Sequence, residues 1–197
     1  MKKNAFTIIE LVIVIVMVSI LVITIVPKIE RDPLREAVTQ IKRHIAFTQH
    51  MAMVDDIYDA SKPMWFRAMW RISFRSKNCY VVSSNIDLDT NYDREESVMD
   101  PMTKTLLYSN NKCKIESTDN SHMFLSDKYG IEKIEFSESC GANRFIAFDN
   151  LGRPHKTLIK LDDYIKSDCI ITLTADSRKA AVIITPETGY VTSVIDK

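Results

Sequence analysis

Apolar residues are concentrated near the N-terminus, where residues 11–26 contain no charge, no glycine and no proline. Extended back to residue 6, this stretch has 21 residues and a single ionisable side chain, Glu10. About 20 apolar residues cross the hydrocarbon core of a bilayer as a helix. A cleaved secretory signal has a shorter apolar core, and protein cores rarely supply a helix that is apolar on every side. The pattern therefore predicts a transmembrane helix over residues 6–26, with the basic flank of Lys2 and Lys3 on the cytoplasmic side.

A second, amphipathic helix is predicted after this span. Pro27 lacks a backbone donor, so it ends or kinks the apolar helix. Asp32 and Pro33 are typical of a new helix start, as N-cap and first helical residue. One apolar stripe then recurs at intervals of three and four residues, at Leu34, Val38, Ile41, Ile45, Thr48 and Ala52. Residues 27–58 are therefore predicted to form the outer half of the helix and to pack on a sheet.

Beyond residue 59 the apolar period changes to two. Alternate residues of the stretch 65–75 are apolar, which predicts one half-buried strand. Further strands are predicted at 80–82, 131–136, 144–148, 170–174, 180–185 and 190–195. Residues 83–120 form a long polar insertion with one apolar patch at 106–108. The predicted fold class is α+β, with a long N-terminal helix packed on an antiparallel β-domain over 59–197.

Composition and charge exclude several function classes. Lys and Arg together number 26 and Asp and Glu 26, so the net charge of zero argues against a generally basic nucleic-acid binder. The chain is 46% hydrophobic and 26% charged, which argues against wholesale disorder. Four glycines argue against collagen and glycine-rich phosphate loops. Four scattered histidines without a G-x-S-x-G motif offer no catalytic triad, so we expect no enzyme and no cofactor.

The four cysteines, Cys79, Cys113, Cys140 and Cys169, lie 34, 27 and 29 residues apart. These spacings contain no C-x-x-C motif and no zinc-ligand pattern. On the outer side of a membrane an even count favours two disulfides, while unpaired buried thiols are the alternative. Four cysteines allow three pairings, and the sequence does not choose among them.

No metal site is expected. Asp87, Asp89 and Asp93 have the oxygen spacing of a calcium loop, but Tyr92 and Val98 stand where that loop needs glycine and glutamate. A solvated acidic loop is the better interpretation. His44 and His50 are six residues apart and do not share a helix face, so both are expected to be solvent-facing or capping residues.

The N-terminal string KKNAFTIIE resembles the leader region of the type IV prepilin family, which includes the pseudopilins of type II secretion. The resemblance implies a leader over residues 1–5 that prepilin peptidase removes between Ala5 and Phe6, although this family usually has glycine before the cut. It also implies methylation of the new Phe6 amine. Glu10, the fifth residue after the cut, is implied to pair with the amine of a neighbouring subunit and to set the axial register of a filament.

Two later motifs resemble the GspH/FimT-like minor pseudopilins. Residues 148–154 read FDNLGRP and fit a turn of the form F-x-x-x-G-R-P, and residues 186–191 read PETGYV and fit a P-x-T-G-x-V hairpin. Gly152 and Gly189 supply the turn positions that need positive φ. The resemblance implies the pilin-like fold, with a long N-terminal transmembrane helix packed on an antiparallel sheet.

The resemblance implies a non-enzymatic minor pilin or pseudopilin, a structural subunit of a type II secretion pseudopilus or a type IV pilus. The partners that it implies are other subunits, prepilin peptidase, an inner-membrane assembly platform and membrane lipid. The expected location is the bacterial inner membrane, as a single-pass protein with a periplasmic C-terminal domain that later joins a periplasmic or extracellular filament.

Two alternatives stay open. One is a DNA-uptake pilin that contacts DNA through a basic and aromatic strand face formed by Trp65, Arg67, Arg71 and Arg75. Cross-strand pairing of those arginines with acids would also explain this face, and the balanced charge does not favour DNA. The other alternative is a membrane protein with no role in assembly.

Overall fold

The computed structural model describes residues 7–25, 31–75, 78–89, 93–116 and 119–196, with side chains in the first range described as far as Leu21. The chain divides into two compact units, the first ending at Arg31 and the second spanning Asp32–Lys197. In the first unit, helix α1 spans Ile8–Ile25 and has no basic residue in its last turn. The predicted kink at Pro27 lies outside the described residues.

Helix α2 spans Pro33–Val54 and begins as the sequence predicts. The Asp32 side chain accepts a hydrogen bond from the Arg35 backbone N–H at 3.3 Å, which satisfies one of the donors left free at a helix start. Arg178 forms an ion pair with the same carboxylate at 3.0 Å, and its hydrogen bond is the main reason that the pKa of Asp32 is lowered. One face of α2 is buried, formed by Leu34, Ala37, Val38, Ile41, His44, Ile45, Thr48 and Ala52.

In the described residues, eight short strands form two antiparallel four-stranded sheets. The first sheet has the order β2-β1-β4-β5 and the second has the order β3-β6-β7-β8. The strands are β1 (Arg71–Phe74), β2 (Tyr80–Ser83), β3 (Lys133–Phe136), β4 (Phe145–Phe148), β5 (Pro154–His155), β6 (Cys169–Ala175), β7 (Arg178–Ile184) and β8 (Val191–Ile195). A short helix α3, Leu125–Tyr129, precedes β3 and ends at Gly130. The predicted strands from 80–82 onward are confirmed to within about two residues at their ends.

The buried face of α2 contacts both sheets, which places the main core between the helix and strands β1, β4, β6, β7 and β8. Side chains alternate across a strand. Ile146 and Phe148 of β4 accordingly face this core, while Ala147 between them belongs to a separate small cluster with Phe66, Met69 and Leu158. The first sheet is thus covered on both faces.

The predicted fold class is wrong, because the part of the chain that the structure describes has no long N-terminal transmembrane helix packed on a sheet. The helix that packs on the sheets is the amphipathic α2, and the apolar α1 belongs to the other unit. The prediction assigned the 21 residues of 6–26 to the span, whereas α1 covers 18 of them within the described residues, a length of about 27 Å against a hydrocarbon core of about 30 Å.

Within the described residues, no helix has the length and apolar character needed to cross a membrane. The predicted location, a single-pass inner-membrane protein with a periplasmic domain, is contradicted by that finding.

The single strand predicted at 65–75 is also wrong. Trp65–Ala68 form a 3-10 helix, and strand β1 begins only at Arg71. Both faces of β1 are buried, so Arg71 and Ser73 are covered although the alternation placed them on an exposed face. The side chain of Phe66 packs with Met69, Ala147 and Leu158 in the small cluster and not in the main core.

Candidate functional site

Helix α1 carries an apolar surface on all sides. Each of its twelve large apolar side chains from Ile8 to Leu21 is between 47 and 83% exposed in the isolated chain. The one hydroxyl within this surface, that of Ser19, donates to the Ile15 carbonyl at 2.7 Å and so offers no free donor outward. Monomeric proteins rarely expose a continuous apolar patch of more than a few hundred Å². This surface therefore requires an apolar partner.

The single carboxylate of α1 belongs to a capping box. Glu10 Oε2 accepts hydrogen bonds from the Thr7 backbone N–H at 2.9 Å and from the Thr7 hydroxyl at 2.8 Å. The Glu10 backbone N–H in turn donates to Thr7 Oγ1 at 3.3 Å. These reciprocal bonds satisfy donors that the first helical turn leaves free, and those to the carboxylate lower the pKa of Glu10.

This capping role was not predicted, although residues 7–10 have the T-x-x-E pattern of a capping box. In the structure Glu10 therefore acts as a helix cap. Ala5 and Phe6, the predicted cleavage and methylation residues, lie outside the described residues.

The four residues of the predicted basic and aromatic face do not share one strand. Trp65 and Arg67 lie in the 3-10 helix before β1. Arg71 is 8% exposed within β1, and its guanidinium lies 5.8 Å from the centre of the Phe145 ring. Arg75 follows the strand and donates to the Ser109 carbonyl at 3.5 Å. Arg67 and Arg71 line a common recess, but Trp65 lines a different one.

The cysteines are paired in chain order. Cys79 is bonded to Cys113 and Cys140 to Cys169. The first disulfide connects the residue before β2 to the 83–120 insertion, and the second connects the end of a 3-10 helix to the start of β6. Of the three pairings that the sequence left open, the structure has the one with sequence separations of 34 and 29.

A buried polar network connects the insertion to α2, and it corrects the expectation for His44. His44 is 1% exposed, whereas His50 is exposed as expected. His44 Nδ1 lies 2.7 Å from the Tyr80 hydroxyl, and His44 Nε2 lies 3.2 Å from Gln40 Nε2 and 3.1 Å from Arg43 Nη2. Because both neighbours of Nε2 are donors, Nε2 must accept, and the ring is neutral with its proton on Nδ1.

The insertion supplies the acid of this network. Asp100 is 1% exposed and pairs with Arg43 at 3.0 Å, while its distance to His44 Nε2 is 3.7 Å. Burial, followed by the charge of Arg43, lowers the pKa of His44 to about 4, although Asp100 acts in the opposite direction. Position 44 falls three residues after Ile41 and four before Thr48, so the apolar stripe itself indicated a buried histidine.

Both predicted glycine turns meet α2 at one residue. The Gln49 side-chain amide donates to the Gly152 carbonyl at 2.8 Å and to the Thr188 carbonyl at 2.7 Å. Gly152 and Gly189 have φ of +76° and +62°, and a Cβ atom at Gly189 would lie 2.5 Å from Gln49 Nε2. These turns therefore hold α2 against the sheets, which is a structural role.

Two adjoining recesses lie where α2 ends. The inner recess has a volume of about 260 Å³, with Ala52, Met69 and Phe148 among its lining residues. The outer recess, about 360 Å³, is lined in part by Asp55, Asp59 and Lys62. Asp56, Ile57, Tyr58 and Trp65 line both.

The acidic loop forms one cluster. The carboxylates of Asp87, Asp89 and Asp93 lie within 4.8 Å of one another, and all three residues are exposed. Tyr92, which stands at the glycine position of a calcium loop, lies outside the described residues. Exposed acidic groups alone do not identify a metal site, and no other observation on the described residues points to one.

No protein-family model, curated protein or solved structure matches this chain. The functional assignment therefore has to come from the geometry of α1 and of the second unit.

Proposed function

We propose that this chain is a non-enzymatic structural subunit of a helical filament of the type IV pilin and pseudopilin kind. In the filament, α1 packs against the α1 helices of other subunits. The observation that carries the proposal is the apolar surface of α1, which is exposed on every side over the described side chains. Fully burying one large apolar side chain is worth about 1.5–3 kcal/mol, so burying the exposed half of twelve stabilises assembly by on the order of 10 kcal/mol.

Like helices are the partner that fits this surface. A helix that is apolar all round has no single docking face, so it needs apolar neighbours on several sides at once. Identical helices arranged around a filament axis supply such neighbours. A pairing with one globular partner would leave most of the surface in water.

Glu10 sets the axial register of the assembly. A carboxylate enclosed among packed apolar helices is costly unless a positive group is close. The resemblance to prepilins suggests the positive group, the Phe6 amine of a neighbouring subunit after a cut behind Ala5. The DNA-uptake alternative has no comparable support, because its four proposed contact residues are divided between a 3-10 helix, a buried strand position and the end of β1.

Three variants separate the two roles of Glu10. Thr7→Ala removes the hydroxyl of the capping box and keeps the charge. Glu10→Gln keeps a residue that can complete the box and removes the charge. Glu10→Ala removes both. The measurement is the fraction of the chain recovered in sheared and sedimented filaments from its native cells, with electron microscopy of the sediment.

We expect Thr7→Ala to assemble nearly as the wild type does. In both Glu10 variants the recovered filament fraction should fall by at least about tenfold, because the Phe6 amine of the neighbouring subunit would become an unpaired buried charge. Normal assembly of Glu10→Gln together with failure of Thr7→Ala would reduce Glu10 to a helix cap. Absence of the wild-type chain from every filament fraction would refute the proposal itself. The intact mass of the recovered chain tests the cut between Ala5 and Phe6 separately.

A further inference from the structure

The two recesses at the end of α2 bring aromatic rings and carboxylates together within the second unit. Tyr58 is 63% exposed, and its ring centre lies 5.2 Å from that of the half-buried Trp65, edge to face. Behind them, the inner recess is lined by the buried side chains of Met69 and Phe148. The recess thus has an apolar floor and an aromatic wall.

Negative charge surrounds its opening. Asp55, Asp56 and Asp59 line the two recesses, and Lys62 is the one cation that lines either of them in the described part of the chain. The Lys62 ammonium lies 3.9 Å from the Asp59 carboxylate, so the two opposite charges form an ion pair with each other. Asp55 accepts a hydrogen bond from the Trp70 indole at 2.7 Å.

Asp56 is the carboxylate left for a ligand. Its Oδ1 accepts the Tyr58 backbone N–H at 3.1 Å, and no cation pairs with it among the described residues. It is exposed and lines both recesses. A positive group in either recess would have the Asp56 carboxylate and the rings of Tyr58 and Trp65 among its lining groups, and aromatic faces attract cations within about 6 Å of the ring centre.

The size of the inner recess indicates what enters it. Its volume of about 260 Å³ is below the 300–1,000 Å³ that is usual for drug-sized ligands and cofactors. A long side chain with an aliphatic stem and a positive head matches the apolar floor, the aromatic wall and the acidic opening together.

We infer that the inner recess receives a lysine or arginine side chain of a partner protein, with its stem against Trp65 and Met69 and its charge at Asp56. This surface lies wholly in the second unit, and the inference does not depend on assembly through α1.

The test uses two probes that have closely similar aliphatic stems and differ in charge. They are Nα-acetyl-lysine amide, which keeps its positive ε-ammonium group, and Nα-acetyl-norleucine amide, which is neutral. Each is titrated into the full chain in a non-ionic detergent while the indole N–H signals are followed by NMR. The chain has two tryptophans, so only two such signals arise. Matched variants are Asp56→Asn at the recess and Asp87→Asn in the exposed acidic loop.

We expect the lysine probe to move the Trp65 signal with a dissociation constant on the order of millimolar, because a single side chain supplies few contacts. The norleucine probe and the Asp56→Asn variant should each bind about fivefold more weakly, the loss that corresponds to one partly exposed ion pair. Asp87→Asn should bind as the wild type does, and added salt should weaken the lysine probe.

Three results would overturn the inference. Equal binding of the norleucine probe would make the recess a purely apolar site. An unmoved Trp65 signal in folded protein would show that no side chain enters. A Trp65 signal that shifts with protein concentration alone would assign the recess to a second copy of this chain. Folding of Asp56→Asn is checked by the Trp70 signal, which reports the hydrogen bond to Asp55.

Discussion

The buried imidazole of His44 makes the stability of the second unit depend on pH. The folded chain keeps this ring neutral, because Nε2 faces donors from Gln40 and Arg43 and the ring is 1% exposed. In the unfolded chain the ring is in water, where its pKa returns to the ordinary 6.5. Between pH 6.5 and about 4 the unfolded chain therefore binds a proton that the folded chain does not.

The direction and size of the effect follow from these two pKa values. The free energy of unfolding is complete above pH 6.5 and falls as the pH is lowered toward 4, since protonation then favours the unfolded chain. One unit of pKa difference is worth about 1.4 kcal/mol. The gap between 6.5 and about 4 thus corresponds to about 3 kcal/mol, a large share of the stability of an ordinary domain.

The assay is urea unfolding of the full chain at pH 7 and pH 4, followed by tryptophan fluorescence. His44→Gln removes the titrating ring and keeps an amide donor and acceptor, and His50→Gln changes an exposed histidine of the same helix. Carboxylates such as Asp149, whose pKa is lowered to about 2, also reduce the free energy of unfolding as the pH falls through the ordinary carboxylate pKa range, but they do so equally in all three proteins. The wild type and His50→Gln should lose about 3 kcal/mol more than His44→Gln between the two pH values.

An equal pH dependence in wild type and His44→Gln would refute the reasoning, because it would mean that the folded chain binds the proton as readily as the unfolded one. A loss in His50→Gln as small as that in His44→Gln would also refute it. In that case the titration would belong to the helix surface.

The remaining predictions concern turns and disulfides. Gly189→Ala should lower the free energy of unfolding by about 3 kcal/mol, since its Cβ would lie 2.5 Å from the backbone carbonyl oxygen of Gly152 at a φ of +62°. Gly130→Ala, at +68° with nothing within 4 Å, should cost only about 1 kcal/mol, and equal losses in urea unfolding would contradict the steric argument. Replacing either disulfide, Cys79–Cys113 or Cys140–Cys169, by two serines should cost about 3–4 kcal/mol because the loops span 34 and 29 residues. Peptide mapping without reductant must find these pairs, and any other pairing would contradict the structure.

Local patterns predicted the elements that obey local rules. Helix α2 begins where Asp32 and Pro33 place it, and its apolar stripe is the face that is buried. Strands β6 and β7 follow from period-two alternation, and their burial patterns alternate as expected. The turn at Gly189 needs a positive φ, which the sequence alone indicated.

Features that depend on distant residues could not be predicted in this way. The alternation over 65–75 does not reveal that a second layer, around Phe66 and Leu158, covers the outer face of the first sheet. The polar insertion gives no sign that Asp100 is buried beside α2. Similarly, only the folded chain shows that Tyr58 and Trp65 meet at the end of the helix. The capping box of Thr7 and Glu10, in contrast, depends only on neighbouring residues and could have been predicted from the T-x-x-E pattern.

The contacts of α2 with the last strands have a consequence for how the chain acquires its structure. Asp32 pairs with Arg178 across 146 positions, and Gln49 reaches Thr188 across 139. Ribosomes deliver the N-terminal end first, so the apolar stripe of α2 is synthesised long before β7 and β8 exist to cover it. Closing so large a loop makes folding slow, because its entropy is lost before the distant contacts form. A stop codon before Val191 would remove β8 and leave the part of α2 that contacts this strand uncovered.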